Sequence, residues 1–544
     1  MEITYLKNKL SSLKISSVLI TLLISIPMIT IFVYLFIHDS ENWEHIKNTV
    51  LLEYIYNTLF VMIGVGILTT IIGFTTAYLT SFYTFSFSNY FDYGLILPFA
   101  FPTYIIAFMY NGMFGISGNV TTYILNLLDK NLSEVVFFDI QSIEGAVLVM
   151  SLVLYPYVYL VCRTYFNFES ASIIEAAKTF NLSSWQVLKK VILPISRPAI
   201  IAGATLAVME ATADYGVMQY FGVNTFVTGI FKTWEGMGSI EDASKLASML
   251  MTFLFILIIL EKFQRRNKVY KSSGKDFRPI EKIKLEGSKN FLASFVCFIP
   301  FFFGFLLPFV QLTIWFFISY EEIIDEEFVD LLLKTLKLGI ISATLLTAIA
   351  ILIVYNSRVN KDKSSSSLPQ ILKLGYSIPG AVVAVGILSF FGILHKYVLD
   401  VLSIDFLISG TVVAVIFGYV VRFIAISINN FEAGFNRIPQ SYDDAAKISG
   451  IGQVKTFTKV FIPLIKNSAA ASFIVIFIEV VKELPLTMVL RPFDYNTLAI
   501  RALELNEQSQ TIESSVPSMF IVLIGIISVL LLTKNMKKAQ NAKY

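Results

Sequence analysis

The sequence predicts an all-α polytopic membrane protein with about 12 transmembrane helices arranged as two parallel six-helix repeats. Three observations predict it. Of the 544 residues, 56% are hydrophobic and only 15% charged, too little charge for a soluble chain of this size. Apolar runs of 18 or more residues recur along the whole chain, each long enough for a helix rising 1.5 Å per residue to cross about 30 Å of hydrocarbon. And the stretch EAAKTFNLSSWQVLKKVILP (175–194) returns as DAAKISGIGQVKTFTKVFIP (444–463), with acids and closing prolines both displaced by 269 residues (444 − 175 = 269).

The expected spans lie near 15–37, 57–82, 92–114, 143–165, 197–221 and 246–263, and then near 291–318, 334–356, 370–394, 405–428, 467–490 and 514–533. The first is preceded by Lys7, Lys9 and Lys14, as in a signal peptide. It is too long for that and lacks a small-residue cleavage site, so it reads as a retained span. Lys and Arg mark the cytoplasmic side. Residues 261–290 hold ten of them against four acids, 356–369 hold Arg358, Lys361 and Lys363, and the tail from Lys534 holds four lysines and no acid. Residues 319–333 hold six acids and no base. An even number of spans with both termini cytoplasmic satisfies this alternation and places both repeated segments inside.

The repeat reaches beyond its clearest segment. Asn57-Thr58-Leu59 opens the second span and Lys334-Thr335-Leu336 the eighth; LPFAFPTY (97–104) is echoed by LGYSIPGA (374–381), with Pro102 and Pro379 also 277 apart. The offset falls to 269 later, so the first half carries about eight extra residues between, most simply near 115–142. The division is a first repeat at 1–265, a basic linker at 266–290 and a second repeat at 291–544. Two halves of one orientation put a path for cargo at their interface.

Within the repeated segment, Glu175-Ala176-Ala177-Lys178 favours helix, and Asn181 and Gly450, each six residues after the acid, tolerate the left-handed backbone that ends a short helix. An amphipathic turn follows, then Pro194 or Pro463. A single copy reads equally well as an ordinary amphipathic loop helix. Two copies in register on one side suggest a docking surface, with small alanines allowing close approach.

The segment resembles the EAA loop of binding-protein-dependent ABC importers, E-A-A-x(3)-G-x(9)-I-x-L-P, and the resemblance implies a type I importer permease fold. It carries an ATPase-coupling role to Glu175, Ala176, Ala177, Asn181 and Pro194, and to Asp444, Ala445, Ala446, Gly450 and Pro463. Asn181 stands where the family has Gly, and Asp444 where it has Glu. Residues 213–239 and 482–505 resemble the fused permeases of ferric-iron importers, a likeness covering nearly the whole chain. It implies Fe³⁺ as cargo, two copies of a separate ABC ATPase that bind the ATP, an extracytoplasmic binding protein, and a place in the bacterial inner membrane. No cofactor is expected on the chain itself and no nucleic acid as a partner. No G-x-x-x-x-G-K-[ST] occurs, so the chain is expected not to be an enzyme.

Acids recur at the same offset: Glu210 and Asp214 in the fifth span, Glu479 and Glu483 in the eleventh. Spacing of four residues puts each pair on one helix face. Because an acid at mid-bilayer costs about 2.5–3.5 kcal/mol, these should not face lipid. They suit a cation path, with Tyr215 and Tyr220 as further oxygen donors. The alternatives are structural, pairing with Lys482 or capping a helix broken before Pro485, or a place near the outer membrane surface rather than at mid-depth. Cys162, Cys297 and the three scattered histidines suggest neither disulfide nor metal site, and no metal ligand is assigned. Two rivals remain open: the same machine with thiamine, a polyamine or an anion as cargo, and a carrier driven by an ion gradient, which would have no use for EAA-like segments.

Overall fold

The computed structural model describes residues 2–36, 40–131, 134, 139–168, 183–266, 282–360, 362–373, 375, 378–400 and 408–541. Among them are ten helices long and apolar enough to cross a membrane. An eleventh candidate is a pair, Ser88–Ala100 and Thr103–Leu128, bent by 92° at its break, and Ser515–Leu531 is a shorter apolar helix. Each of the twelve expected spans therefore has a helix, but several differ. The ninth begins at Gly380 rather than near 370, with Pro379 as its N-cap, and the tenth runs Val412–Asn436 rather than 405–428. The third is broken, because Pro102 lacks the N–H that would continue the ladder. The fifth ends at Ala213 rather than near 221 and the eleventh at Val481 rather than near 490, because acids terminate both.

The helices are labelled α1 (Glu2–Val33), α2 (Leu51–Phe82), α3 (Ser88–Gly94), α4 (Thr103–Phe114), α5 (Ile143–Phe168), α6 (Leu193–Ala213), α7 (Gly216–Tyr220), α8 (Phe226–Phe231) and α9 (Ile240–Arg266). They continue with α10 (Gly287–Phe301), α11 (Leu307–Ile323), α12 (Glu326–Val359), α13 (Lys363–Lys373), α14 (Gly380–Leu394), α15 (Val412–Asn436), α16 (Ser441–Ile448), α17 (Ile462–Val481), α18 (Pro485–Leu490), α19 (Leu498–Glu507) and α20 (Ser515–Asn541).

The chain forms two compact units that cut across the sequence halves. One comprises Met1–Asn42, Ile230–Met249 and Ile324–Arg501; the other comprises Trp43–Gly229, Leu250–Ile323 and Ala502–Tyr544. The first span thus belongs with α12 to α18, while α10 and α11 belong with α2 to α7.

In the unit that contains α2, α5 is the central helix, packed by α2 and α6. The approach is close because two glycines face it. A Cβ on Gly73 would lie 2.7 Å from the Tyr155 carbonyl oxygen, and one on Gly203 2.7 Å from the Val158 Cα. Small residues serve this purpose where lipid tails supply no hydrophobic drive between helices. A two-residue parallel pairing, Tyr83–Thr84 with Ile283–Lys284, ties the end of the expected linker to the chain leaving α2.

In the unit that contains α12, the triplet α12, α15 and α17 repeats this packing. At the equivalent crossing, Ser427 and Ser472 are fully buried and hydrogen-bond to each other. Asp325 caps α12 by accepting the Phe328 N–H at 2.7 Å, and Glu326 and Glu327 fill its first turn. Part of the acidic run at 319–333 is therefore a helix start in which negative charge meets the positive end of the dipole. α1 is held by a 2.7 Å Lys14–Asp362 ion pair and by the Ser248 hydroxyl, which donates to the Ile31 carbonyl at 2.5 Å.

One ion pair recurs with its polarity reversed. Arg163 on α5 pairs with Asp92 on α3 at 2.8 Å, whereas Glu432, the equivalent position on α15, pairs with Lys373 on α13. Both pairs tie a central helix to the short helix that stands before the break at Pro102 or Pro379.

The α5 crossing should tolerate no side chain. Gly203→Leu is expected to destabilise the protein by about 1–3 kcal/mol through overpacking, read as a lowered melting temperature in detergent. Ile200→Leu on the same helix, a volume-conserving change, should leave it in place.

Candidate functional site

The second repeated segment is described in full. α16 starts its first turn with Asp443 and Asp444, exposes Asp444 and Ala445, and buries Ala446. It ends in a Schellman turn: Gly450 has φ +66°, and the Ile451 N–H donates to the Ala446 carbonyl at 3.1 Å. Ile448, Ile451 and Val454 lie exposed around the turn, Ile448 at 87%. Residues Gln453–Thr456 resume the helix, a π turn spans Phe457–Phe461, and α17 follows with Pro463 in its first turn.

Of the first segment, Glu175, Ala176, Ala177 and Asn181 lie outside the described residues. From Ser183 onward it matches the second. Ser184–Val187 is helical, with Ser183 and Gln186 capping each other's backbone N–H, and a π turn spans Leu188–Ile192 before α6. Pro194 and Pro463 account for the shared π turns. Proline has no N–H to close the α turn before it. The residue just before each, Leu193 or Ile462, donates five residues back, to Leu188 or Phe457.

At the far ends of α6 and α17, the recurring acids sit at breaks in the helices. Asp214 leaves the helical conformation at φ −78°, ψ 112°. One carboxylate oxygen accepts the Val217 N–H at 2.9 Å, starting α7, and the other accepts the Thr103 hydroxyl. Glu483 occupies the equivalent place. It accepts the Leu486 N–H at 3.0 Å, capping α18, and the Arg422 guanidinium. Arg422 and Glu483 are 12% and 5% exposed. Gly380 stands where the first half has Thr103. A Cβ there would lie 2.1 Å from Arg422 Nη1 and 2.7 Å from Glu483 Oε1, so glycine leaves room for the arginine. Glu479 pairs with Lys482 at 2.8 Å. Tyr215 is buried, and the Tyr220 hydroxyl accepts from Asn111 Nδ2 at 2.9 Å. Glu210 is half-buried on α6. No group of three or more His, Cys, Asp or Glu able to hold a metal ion occurs among the described residues.

The Thr of the Asn-Thr-Leu and Lys-Thr-Leu triplets also finds a shared role. Thr58 Oγ1 accepts the Phe226 N–H that opens α8 at 3.2 Å, and Thr335 Oγ1 accepts the Leu498 N–H that opens α19 at 3.0 Å. Each repeated triplet thus anchors the helix that follows a broken span.

Arg422 and Arg358 are the side chains that the sequence reading passed over. Arg422 had a signal: it is the single charge in the apolar run 412–428, and a base in such a run needs a buried acid. Arg358 was read only as a marker of the cytoplasmic side.

The family profile described as "Binding-protein-dependent transport system inner membrane component" matches residues 69–265 and again 361–543. The chain belongs to this family. Relatives match this chain over as much as 95% of its length. An Fe(3+)-transport system permease protein, FbpB 2, of Haemophilus influenzae is 22% identical over 95% of this chain and 97% of that protein. The ferric transport system permease protein FbpB of Actinobacillus pleuropneumoniae is 24% identical over 85% of this chain and 68% of its own. The sulfate transport system permease protein CysT of Escherichia coli is 23% identical over 34% of this chain and 64% of its own. The chain is accordingly a multi-pass inner membrane protein, and the family match falls once on each half.

The Arg422–Glu483 pair should show the asymmetry of a buried ion pair. Arg422→Met alone, leaving the carboxylate buried, is expected to lose about 3–5 kcal/mol of stability. Adding Glu483→Gln, which keeps the cap on Leu486, should return most of it. Thermal unfolding of the two variants in detergent measures the difference.

Proposed function

We propose that this chain is the permease subunit of an ABC importer that takes up ferric iron from an extracytoplasmic binding protein, driven by two copies of a separate ATPase. Two repeats, 1–265 and 291–544, joined by the linker at 266–290, keep both termini and both Pro-terminated segments in the cytoplasm. Residues 175–194 and 444–463 each dock on one ATPase subunit. Closure of the ATPases pulls the two segments together, and the spans rock between outward- and inward-open states. The chain does no covalent chemistry and holds no ATP. The observation that carries this reading is the recurrence of one segment, from acid to π turn to proline, in a chain whose fused ferric-permease relatives match it almost end to end.

Iron is favoured over an oxyanion by the acids beside the breaks of α6 and α17, since hard cations take oxygen ligands and anions are repelled by them. In this reading Glu210, Asp214, Tyr215, Glu479 and Glu483 line the cargo path. Asp214 and Glu483 also cap helices, and Lys482 and Arg422 offset charge on the second pair. Glu210 and Glu479 are therefore the more informative positions.

In a strain lacking the gene, restored uptake of labelled iron, with no uptake of labelled thiamine or sulfate, is the expected result; uptake of either competitor instead would reassign the cargo. Glu210→Gln with Glu479→Gln should lower iron uptake about tenfold or more while the ATPase still co-purifies, given how often ionisable groups in membrane spans prove functional. Normal uptake by that double variant would remove the acids from the path. Separately, Glu175→Lys and Asp444→Lys should each weaken ATPase capture, and an unaltered complex would misplace the docking surface.

A further inference from the structure

Arg358, at the end of α12, touches every element around the second repeated segment. Its Nη2 and Nε donate to the Asp443 carboxylate at 2.6 and 3.1 Å. Nη1 donates to the Phe435 carbonyl at 2.7 Å, and Nη2 also reaches the Ile438 carbonyl at 3.1 Å. Its guanidinium carbon lies 5.1 Å from the centre of the Phe461 ring and 5.7 Å from that of Phe435. The pair is nearly buried, with Arg358 13% and Asp443 10% exposed. One side chain therefore binds the last turn of α15, the loop after it, the first turn of α16 and the π turn leading into α17.

Each contact suits arginine in particular. The Phe435 carbonyl at the end of α15 already accepts the Ile438 N–H at 3.1 Å and has a second lone pair for the guanidinium, and a cation there also meets the negative end of the dipole. A planar guanidinium can serve a carboxylate, two carbonyls and two ring faces at once, which an ammonium cannot do. Asp443 is the neighbour of Asp444, the acid of the repeated motif, and lies one turn or less from Ala445 and Ala446. Around the clamp, Tyr355 packs on Phe457 and Phe461 at ring distances of 4.6 and 5.8 Å, so the contact is stiffened from α12 as well.

The residues at the equivalent positions of the first half differ. At the offsets of the repeat, Arg358 corresponds to Ser81 and Asp443 to Ile174, which cannot make an ion pair.

We propose that Arg358 is a positioning residue that clamps α16 to α12, α15 and α17, so that force applied to the second docking segment reaches those spans without slack. The two segments are then mechanically unequal: the second is yoked to its spans by a charged fork that Ser81 and Ile174, at the equivalent positions of the first half, cannot form. This rests on the reading of 444–463 as an ATPase-docking segment, and the test separates the two.

A spin label at Ile448→Cys reports on α16 in the full-length chain with no partner present; Cys162 and Cys297 are buried and stay unlabelled. Arg358→Lys and Asp443→Asn should each increase the mobility of that label, and an unchanged spectrum in both would overturn the clamp whatever 444–463 does. In the complex reconstituted with its ATPase and binding protein, both variants should keep ATPase capture and lose about fivefold or more of iron uptake per ATP hydrolysed, within the range that residues coupling two sites reach. A purely stabilising role would lower uptake and hydrolysis together, and that result, like an unaltered ratio, would overturn the proposal. Should Arg358→Lys fail to fold, Asp443→Asn, which leaves the arginine on its carbonyls, decides by the same two readouts. Loss of ATPase capture in Asp444→Lys supports the docking reading independently. Capture retained there would end that reading, and the label alone would then judge the clamp.

Discussion

A polar group carried into an apolar bundle must find its partner within the chain, and the breaks after Ala213 and Val481 show how this protein meets that requirement. A helix that stops inside a membrane leaves carbonyls behind and exposes new N–H groups ahead, each costing several kcal/mol if unsatisfied. Asp214 and Glu483 solve this identically, each accepting the N–H three residues on and so starting a short second helix. The carboxylates must then be accommodated in turn. Thr103 does so with a hydroxyl, and Arg422 does so with a charge, in space that Gly380 leaves open. The broken spans, the short helices after them and the threonines that anchor α8 and α19 follow from satisfying that single constraint.

The two halves use one plan and different chemistry. Where α6 crosses α5 through Gly203 and Val158, α17 crosses α15 through a buried pair of serines. Where Arg163 meets Asp92, Glu432 meets Lys373. The reversed polarity matters for folding. If α13 were to pack on α5, Lys373 would face Arg163, and if α3 were to pack on α15, Asp92 would face Glu432. Like charges brought to ion-pair distance in these half-buried sites would repel, so each short helix is directed to its own partner in a chain that otherwise offers two similar choices.

Much of this was legible beforehand. Hydropathy placed every span, closely at Ile143–Phe168 but six to eight residues off at one end or both for Leu51–Phe82, Glu326–Val359 and Val412–Asn436, whose ends run on through polar or less apolar turns. The repeat offsets matched Thr58 to Thr335 and Asp214 to Glu483 before any geometry was known. Hydropathy could not show that spans five and eleven end at their acids, because the residues beyond are equally apolar and the break depends on a side-chain cap. Arg422 and Arg358 escaped because pairing is a three-dimensional relation: their partners lie 61 and 85 residues away in the chain. The interleaving of the compact units escaped for a similar reason, since nothing local in α1 names the helices it will touch.

That interleaving bears on biogenesis. α1 leaves the ribosome long before its packing partners α13 and α14, which are synthesised more than three hundred residues later. Glycine at position 386 leaves no room for a Cβ beside Ile31 and the Pro27 carbonyl, so this late contact is intimate. α1 must therefore wait in the bilayer, shielded by lipid or by an insertion factor, while eight or more further helices are threaded past it. Completion of the fold is then timed by the appearance of the second half, and a chain stalled at the linker would hold α1 by little more than its contact with Ser248 on α9.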